Sequence, residues 1–96
     1  MITHVVLAKL NDRSAENIES TRVLLRSLSG RIPSLRFLEV GKDLTRSEGS
    51  YDVALIAKFD DLEGLNTYRL HPIHVPVSAK LKELAASTVV VDYQSD

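Results

Sequence analysis

Apolar and polar positions fall in blocks along this chain, and their period changes from block to block. Ile2 to Leu10 is an apolar, β-branched run closed by Asn11-Asp12, the pattern of a strand. Ser14 is placed to cap a helix from Ala15 to about Ser29. Ile18, Thr21, Leu25 and Leu28 recur there at helical spacing, with Leu24 beside them. Gly30 ends the helix and Ile32-Pro33 turns the chain into a second strand, Leu35 to about Val40. Asp43 to Ser50 is polar and contains Gly49, so it reads as a loop. Tyr51 to Phe59 is a third strand. Asp60 or Asp61 caps a short helix that runs to about Leu70. Pro72 lacks the N–H that would continue it, so the chain bends there. Val75 to Ala86 resumes as helix, with Val77, Leu81 and Leu84 as its stripe and Pro76 tolerated in its first turn. Thr88 to Tyr93 closes as a strand. The order βαββαβ predicts a ferredoxin-like α+β fold, one four-stranded antiparallel sheet with both helices on one face.

The strands lack the clean alternation of a sheet with one wet face. Ile2, His4, Val6, Ala8 and Leu10 share one face of the first strand, yet Val5 and Leu7 lie on the other. Val53, Leu55, Ala57 and Phe59 share one face of the third, with Ala54 and Ile56 opposite. The last strand reads Val89-Val90-Val91. Two helices cover one face only. The other would leave an apolar patch larger than a monomer usually shows, so the pattern predicts a homodimer packed sheet to sheet, a dimeric α/β barrel with a cavity on each sheet. The 96 residues suffice for one domain, 1–96, and a chain this short benefits from the added core.

Composition removes several classes of function. There is no cysteine, hence no disulfide, thiolate metal site or cysteine nucleophile. Twelve basic and thirteen acidic residues are mixed along the chain, and the basic clusters are loose pairs such as Lys80 and Lys82. That distribution is not the basic face of a nucleic-acid binder. The apolar start is too short to span a membrane and lacks the flanks of a signal peptide, so the expectation is a cytoplasmic protein without membrane contact. No Gly-rich phosphate loop, Gly-x-Ser-x-Gly or nucleotide fingerprint is present. No cofactor is expected.

The candidate chemistry lies in Tyr68-Arg69-Leu70-His71-Pro72-Ile73-His74, together with His4. Tyr68, His71 and His74 are three apart and would share a face of an unbroken helix, an arrangement that Pro72 makes approximate. His71 and His74 are within reach of one another, but no carboxylate or thiol completes a metal site at diagnostic spacing, and none is assigned. For His71, satisfying backbone groups at the Pro72 bend is the better reading. His74 could do the same, Tyr68 could be packing, and His4 could be a satisfied core histidine. Asp92 and Glu39 read as carboxylates paired with Lys or Arg.

The Ile2-Thr3-His4-Val5-Val6 opening, the Ile32-Pro33 turn, Gly41-Lys42-Asp43, Tyr51-Asp52, Tyr68-x-x-His71-Pro72-x-His74 and the closing Val91-Asp92-Tyr93 resemble the stress-responsive A/B barrel (Dabb) family over essentially the whole chain. The resemblance implies the ferredoxin-like fold and the sheet-to-sheet dimer. Many members of that family are associated with stress and have no assigned reaction. A plant branch, the olivetolic acid cyclase type, closes a linear polyketide by aldol condensation without a cofactor. By resemblance to that branch, His74 is the general base and Tyr68 its partner or the group that orients a carbonyl. A matching histidine stands at His4. A further pocket histidine of the branch is replaced here by Val53, which changes the polarity expected of the pocket.

The expectation is therefore a homodimer that binds a small, largely apolar molecule in a pocket formed by His4, Val6, Val53 and Leu55, beside Tyr68 and His74, with His71 and Pro72 in support. Its physiological role is unassigned. A cofactor-free cyclase- or lyase-like enzyme is the second reading, and a protective oligomer without a ligand is the third.

Overall fold

The computed structural model describes residues 1–96. Its elements follow as β1 (Ile2–Leu10), α1 (Ala15–Arg26), β2 (Phe37–Lys42), β3 (Val53–Phe59), α2 (Leu62–Leu70), α3 (His74–Leu84) and β4 (Ala85–Gln94). The four strands form one sheet in the order β2-β3-β1-β4, with every neighbouring pair antiparallel. This is the ferredoxin-like α+β fold expected from the pattern, its second helical stretch divided into α2 and α3.

The register decides which side chains share a face. Ile2, His4, Val6 and Ala8 stand opposite Phe59, Ala57, Leu55 and Val53 on β3. This face joins Ile18 and Leu25 of α1, Leu28 just beyond it, and Leu65 and Tyr68 of α2 in one buried cluster. Each such aliphatic side chain, removed from water, contributes about 1.5–3 kcal/mol. Helix α3 is different: it has no fully buried residue, and Val77, Leu81 and Leu84 only lean on the core. The opposite face carries Leu7, Ile56, Phe37, Val89, Val91 and Tyr93. There Val91 is 54% exposed and Tyr93 48%, so a row of large apolar side chains stands in water.

Several element ends differ from expectation, each for a local reason. Helix α1 stops at Arg26 rather than Ser29, because Leu28 and Ser29 close tight turns onto Leu25 and Arg26 before Gly30 takes a positive φ of 76°. Ser14 caps its start, accepting the Asn17 N–H at 3.2 Å. Leu35 lies in a turn closed onto the Ile32 carbonyl, so β2 begins at Phe37. Ala85 and Ala86 belong to β4 instead of to the helix: Ala85 pairs with Leu10, and the Asn11 N–H donates to the Leu84 carbonyl at 2.9 Å.

The third strand begins at Val53 because Asp52 is a junction. Its carboxylate is completely buried. It accepts the Leu10 N–H at 2.8 Å and the Arg13 Nε–H at 3.0 and 3.1 Å. Its own N–H donates to the Ala8 carbonyl at 2.9 Å, and its carbonyl accepts from Asp43 at 2.9 Å. One side chain thus ties the exit of β1 and the entry of α1 to the start of β3. Asp52→Ala leaves a buried N–H and a guanidinium without their acceptor, and the expected loss is about 3 kcal/mol in urea unfolding. A loss below about 1 kcal/mol, the size of one ordinary hydrogen bond, would show that the junction holds without the carboxylate.

Candidate functional site

The site is assembled by the break at Pro72. A residue before proline is pushed out of helical conformation, and His71 has φ −66° and ψ 137°. Helix α2 therefore ends at Leu70. His71 satisfies the bend: its N–H donates to the Tyr68 carbonyl at 3.2 Å, and its carbonyl accepts from His74 and Val75 at 2.9 and 3.0 Å. Its ring Nδ1 accepts the Ile73 N–H at 3.0 Å. The His71 ring is thereby engaged in scaffolding, and Tyr68, His71 and His74 do not form one face.

Tyr68 and His74 meet instead across the bend. On a continuous helix, residues six apart would be separated by about 9 Å of rise and point in different directions. Here their ring centroids are 4.2 Å apart at 40°. Tyr68 also packs on Phe59 at 4.9 Å and meets the edge of His4 at 6.0 Å. The His74 Nδ1 lies 3.1 Å from the Arg69 carbonyl oxygen, which can only accept, so Nδ1 carries the proton and Nε2 is left with its lone pair. Of the three tyrosine hydroxyls, only that of Tyr51 bonds within the chain, to Ser87 Oγ at 3.1 Å.

These rings wall one end of a cavity of about 320 Å³ that runs between the sheet and the helices. The sheet supplies His4, Val6, Leu55, Thr88 and Val90. Leu25 and Leu28 close one side, while Val77, Ser78, Leu81 and Lys82 of α3 form the roof. The gap exists because α3 rides above the sheet and sends no side chain fully into it. The location corrects the expectation in one respect: the cavity lies on the helix-covered face, within one chain, and not on the open face. Tyr68, His74, His4, Val6 and Leu55 all line it. Val53 does not line this cavity. It stands opposite Ala8, two pairs beyond Leu55 and Val6, packed in the core and 2% exposed.

One residue acquires a role that its place in the chain does not announce. Asp92 is an ion-paired carboxylate, with Arg69 Nη2 at 2.7 Å. It also stands directly across the ladder from His4 and accepts from His4 Nδ1. The pairing of chain beginning with chain end, which brings Asp92 to His4, is the signal that would have revealed it. Among the residues of the chain, no three His, Cys, Asp or Glu side chains are grouped to hold a metal ion.

Environment moves the two ring groups in opposite senses. Burial pushes the Tyr68 hydroxyl up to about 12, so it stays protonated. Burial also pulls His74 below its ordinary 6.5, against the raising effect of the Arg69 carbonyl and with further lowering from its neighbours His4, Arg69 and His71. At neutral pH the pair is a protonated phenol beside a neutral imidazole.

The sequence profile of the stress responsive A/B barrel domain matches residues 2–95. The chain belongs to this family. Among solved structures, this Dabb chain is 31% identical to a dimeric, ferredoxin-like protein of unknown function from Bacteroides fragilis (TM-score 0.83, covering 98% of this chain and 95% of that one). It is 30% identical to a dimeric ferredoxin-like protein of unknown function from Thermobifida fusca (TM-score 0.86, 98% and 90%). The hydroxynitrile lyase of Passiflora edulis shares the fold at 17% identity (TM-score 0.83, 99% and 93%). No curated protein matches the chain in sequence. No helix of this Dabb domain is long and apolar enough to cross a membrane.

The lowered His74 has a thermodynamic consequence. Between 6.5 and the lower folded value the unfolded chain binds the proton first, so stability falls as pH drops through that window. His74→Gln removes this contribution. Urea midpoints measured at about pH 7.5 and about pH 5 should then differ less for the variant than for the wild type. Equal differences would mean that the folded protein does not disfavour the charged imidazole.

Proposed function

We propose that two copies of this Dabb domain pair through their open sheet faces, and that each copy holds a small, largely apolar molecule in its helix–sheet cavity. The observation that carries the ligand reading is the cavity itself. Its roughly 320 Å³ falls at the low end of small-molecule sites, and its walls are mainly aliphatic and aromatic around a few convergent polar groups. The pairing is supported by the exposed Phe37, Val89, Val91 and Tyr93, and by the dimeric state of the two related structures. Native mass spectrometry of the purified protein should show twice the 10.7 kDa chain mass, with a discrete retained ligand mass. Val91→Lys, on the edge strand β4 of the open face and opposite Val5, should shift that population to the monomer. A wild-type monomer would sink the pairing. An empty assembly larger than a dimer would favour a protective role.

A second reading is favoured by the opposite displacement of Tyr68 and His74. Groups pushed apart in this way are the signature of an acid–base pair. In this reading the site catalyses cofactor-free proton transfer of the aldol or lyase type. His74 Nε2 removes a proton next to a carbonyl, and the Tyr68 hydroxyl hydrogen-bonds the oxygen on which negative charge develops. The base can be examined without knowing the substrate. Deprotonation of 5-nitrobenzisoxazole, an apolar carbon acid followed by colour, should slow by roughly 100-fold or more in His74→Gln relative to wild type, the usual contribution of a positioned base. Equal rates in the two proteins would remove His74 from that role while leaving ligand binding open.

A further inference from the structure

The cavity is chemically asymmetric along its length. Its inner end is Tyr68, buried, with the His4 and His74 rings. Its mouth lies where α3 passes over β4, and the residues there are exposed: Lys82 on the helix, and Thr88 and Val90 on the strand. Ser78 and Lys82 are four apart on α3 and so present to one side of it. The charged residues that line the cavity are Arg69 and Lys82, both cationic, and no carboxylate lines it.

The two cations differ in what they already hold. Arg69 is engaged by Asp92 at 2.7 Å. Lys82 has no carboxylate within ion-pair distance, since the lysine–glutamate pair of α3 is made by Lys80 and Glu83 at 3.6 Å. The hydroxyls of Ser78 and Thr88 also make no hydrogen bond within the chain. An ammonium and two hydroxyls at the rim of an apolar cavity form a donor set that no acceptor of the chain engages. Their complement is an oxygen anion attached to an apolar body.

Building on the reading of this cavity as a ligand site, we propose that its ligand class is the amphipathic carboxylate: an apolar body lying against Leu25, Leu28, Leu55 and Leu81, with its carboxylate at the mouth on Lys82, Ser78 and Thr88. The neutrality of His74 agrees with this polarity, because an anion placed at the far mouth leaves the inner imidazole in apolar surroundings. The ligand orientation follows. The end of the molecule remote from the carboxylate is the end that meets Tyr68 and His74.

The test compares octanoate with octanol, which share an alkyl chain and differ in the charged head, by calorimetric titration near neutral pH. The wild type should bind octanoate roughly tenfold or more tightly than octanol, the effect of one good charge-assisted contact. The preference should weaken with added salt. Lys82→Met should abolish the preference and Lys82→Arg should keep it. Lys82 is exposed and its replacement leaves the core untouched, so both variants should fold, as circular dichroism would verify. Equal affinity for the two compounds in the wild type, or a preference that survives in Lys82→Met, would overturn the assignment. Leu81→Trp, which fills the cavity, separates the two levels of inference. If it abolishes octanol binding, the cavity stands whatever the fate of the carboxylate. If neither compound binds the wild type, or if Leu81→Trp binds both as well as the wild type does, the cavity reading falls with it.

Discussion

Pro72 has no N–H to give and forces His71 out of the helix, and the site depends on that single constraint. Leu62 to Leu84 would otherwise run as one helix of about 34 Å, longer than the strand β3 beneath it. Broken at Pro72, the segment becomes two shorter helices joined by a bend. Its first half seats Leu65 and Tyr68 in the core, and its second half rises over the β4 edge without sealing it. The cavity is the space left by that mismatch. The same bend turns two residues six apart into a stacked pair. His71, the most conspicuous histidine beside the proline, is consumed in making the bend possible, its ring and both backbone groups bonded locally.

Around the stacked pair, charge is distributed unevenly. Asp92 sits below the imidazole of His4 and is answered twice, by that ring and by Arg69. His74 has no carboxylate of its own. Its one polar tie is to a backbone carbonyl, and its charged neighbours are cationic. Two histidines a few ångströms from the same tyrosine therefore live in different electrostatic settings, one tethered to an anion and one isolated in apolar surroundings. The sheet makes this possible, because β1 and β4 pair in a register that delivers Asp92 to His4 and to no other histidine.

Much of this was legible in the order of residues. The strand and helix sequence, the Ser14 cap, the Ile18, Thr21, Leu25 and Leu28 stripe and the break at Pro72 are local patterns, and local patterns survive folding. The apolar character of both sheet faces could be read from Val5, Leu7, Ala54 and Ile56 for the same reason. What could not be read depends on register and on depth. Val53 and Leu55 share a strand face, and only the position of α3 decides that Leu55 faces a cavity while Val53 is packed solid. Asp52 stands inside the expected third strand, and only the placement of β1 beside it shows that its carboxylate accepts the buried Leu10 N–H. The placement of the cavity on the helix side required knowing that α3 buries nothing fully, which its Val77, Leu81 and Leu84 stripe does not disclose.

The junction between α3 and β4 has no connecting loop: Leu84 ends the helix and Ala85 begins the strand. Asn11 grips the place from below, its backbone N–H on the Leu84 carbonyl and its side chain on that of Glu83 at 3.3 Å. At its other end α3 is held by the bonds of the Pro72 bend. A roof clamped at both ends cannot swing like a lid. Passage into the space beneath it falls to side chains at the rim, whose rotations take picoseconds to nanoseconds, rather than to a hinged segment moving in microseconds or slower. The opening therefore changes shape with those side chains, on their timescale.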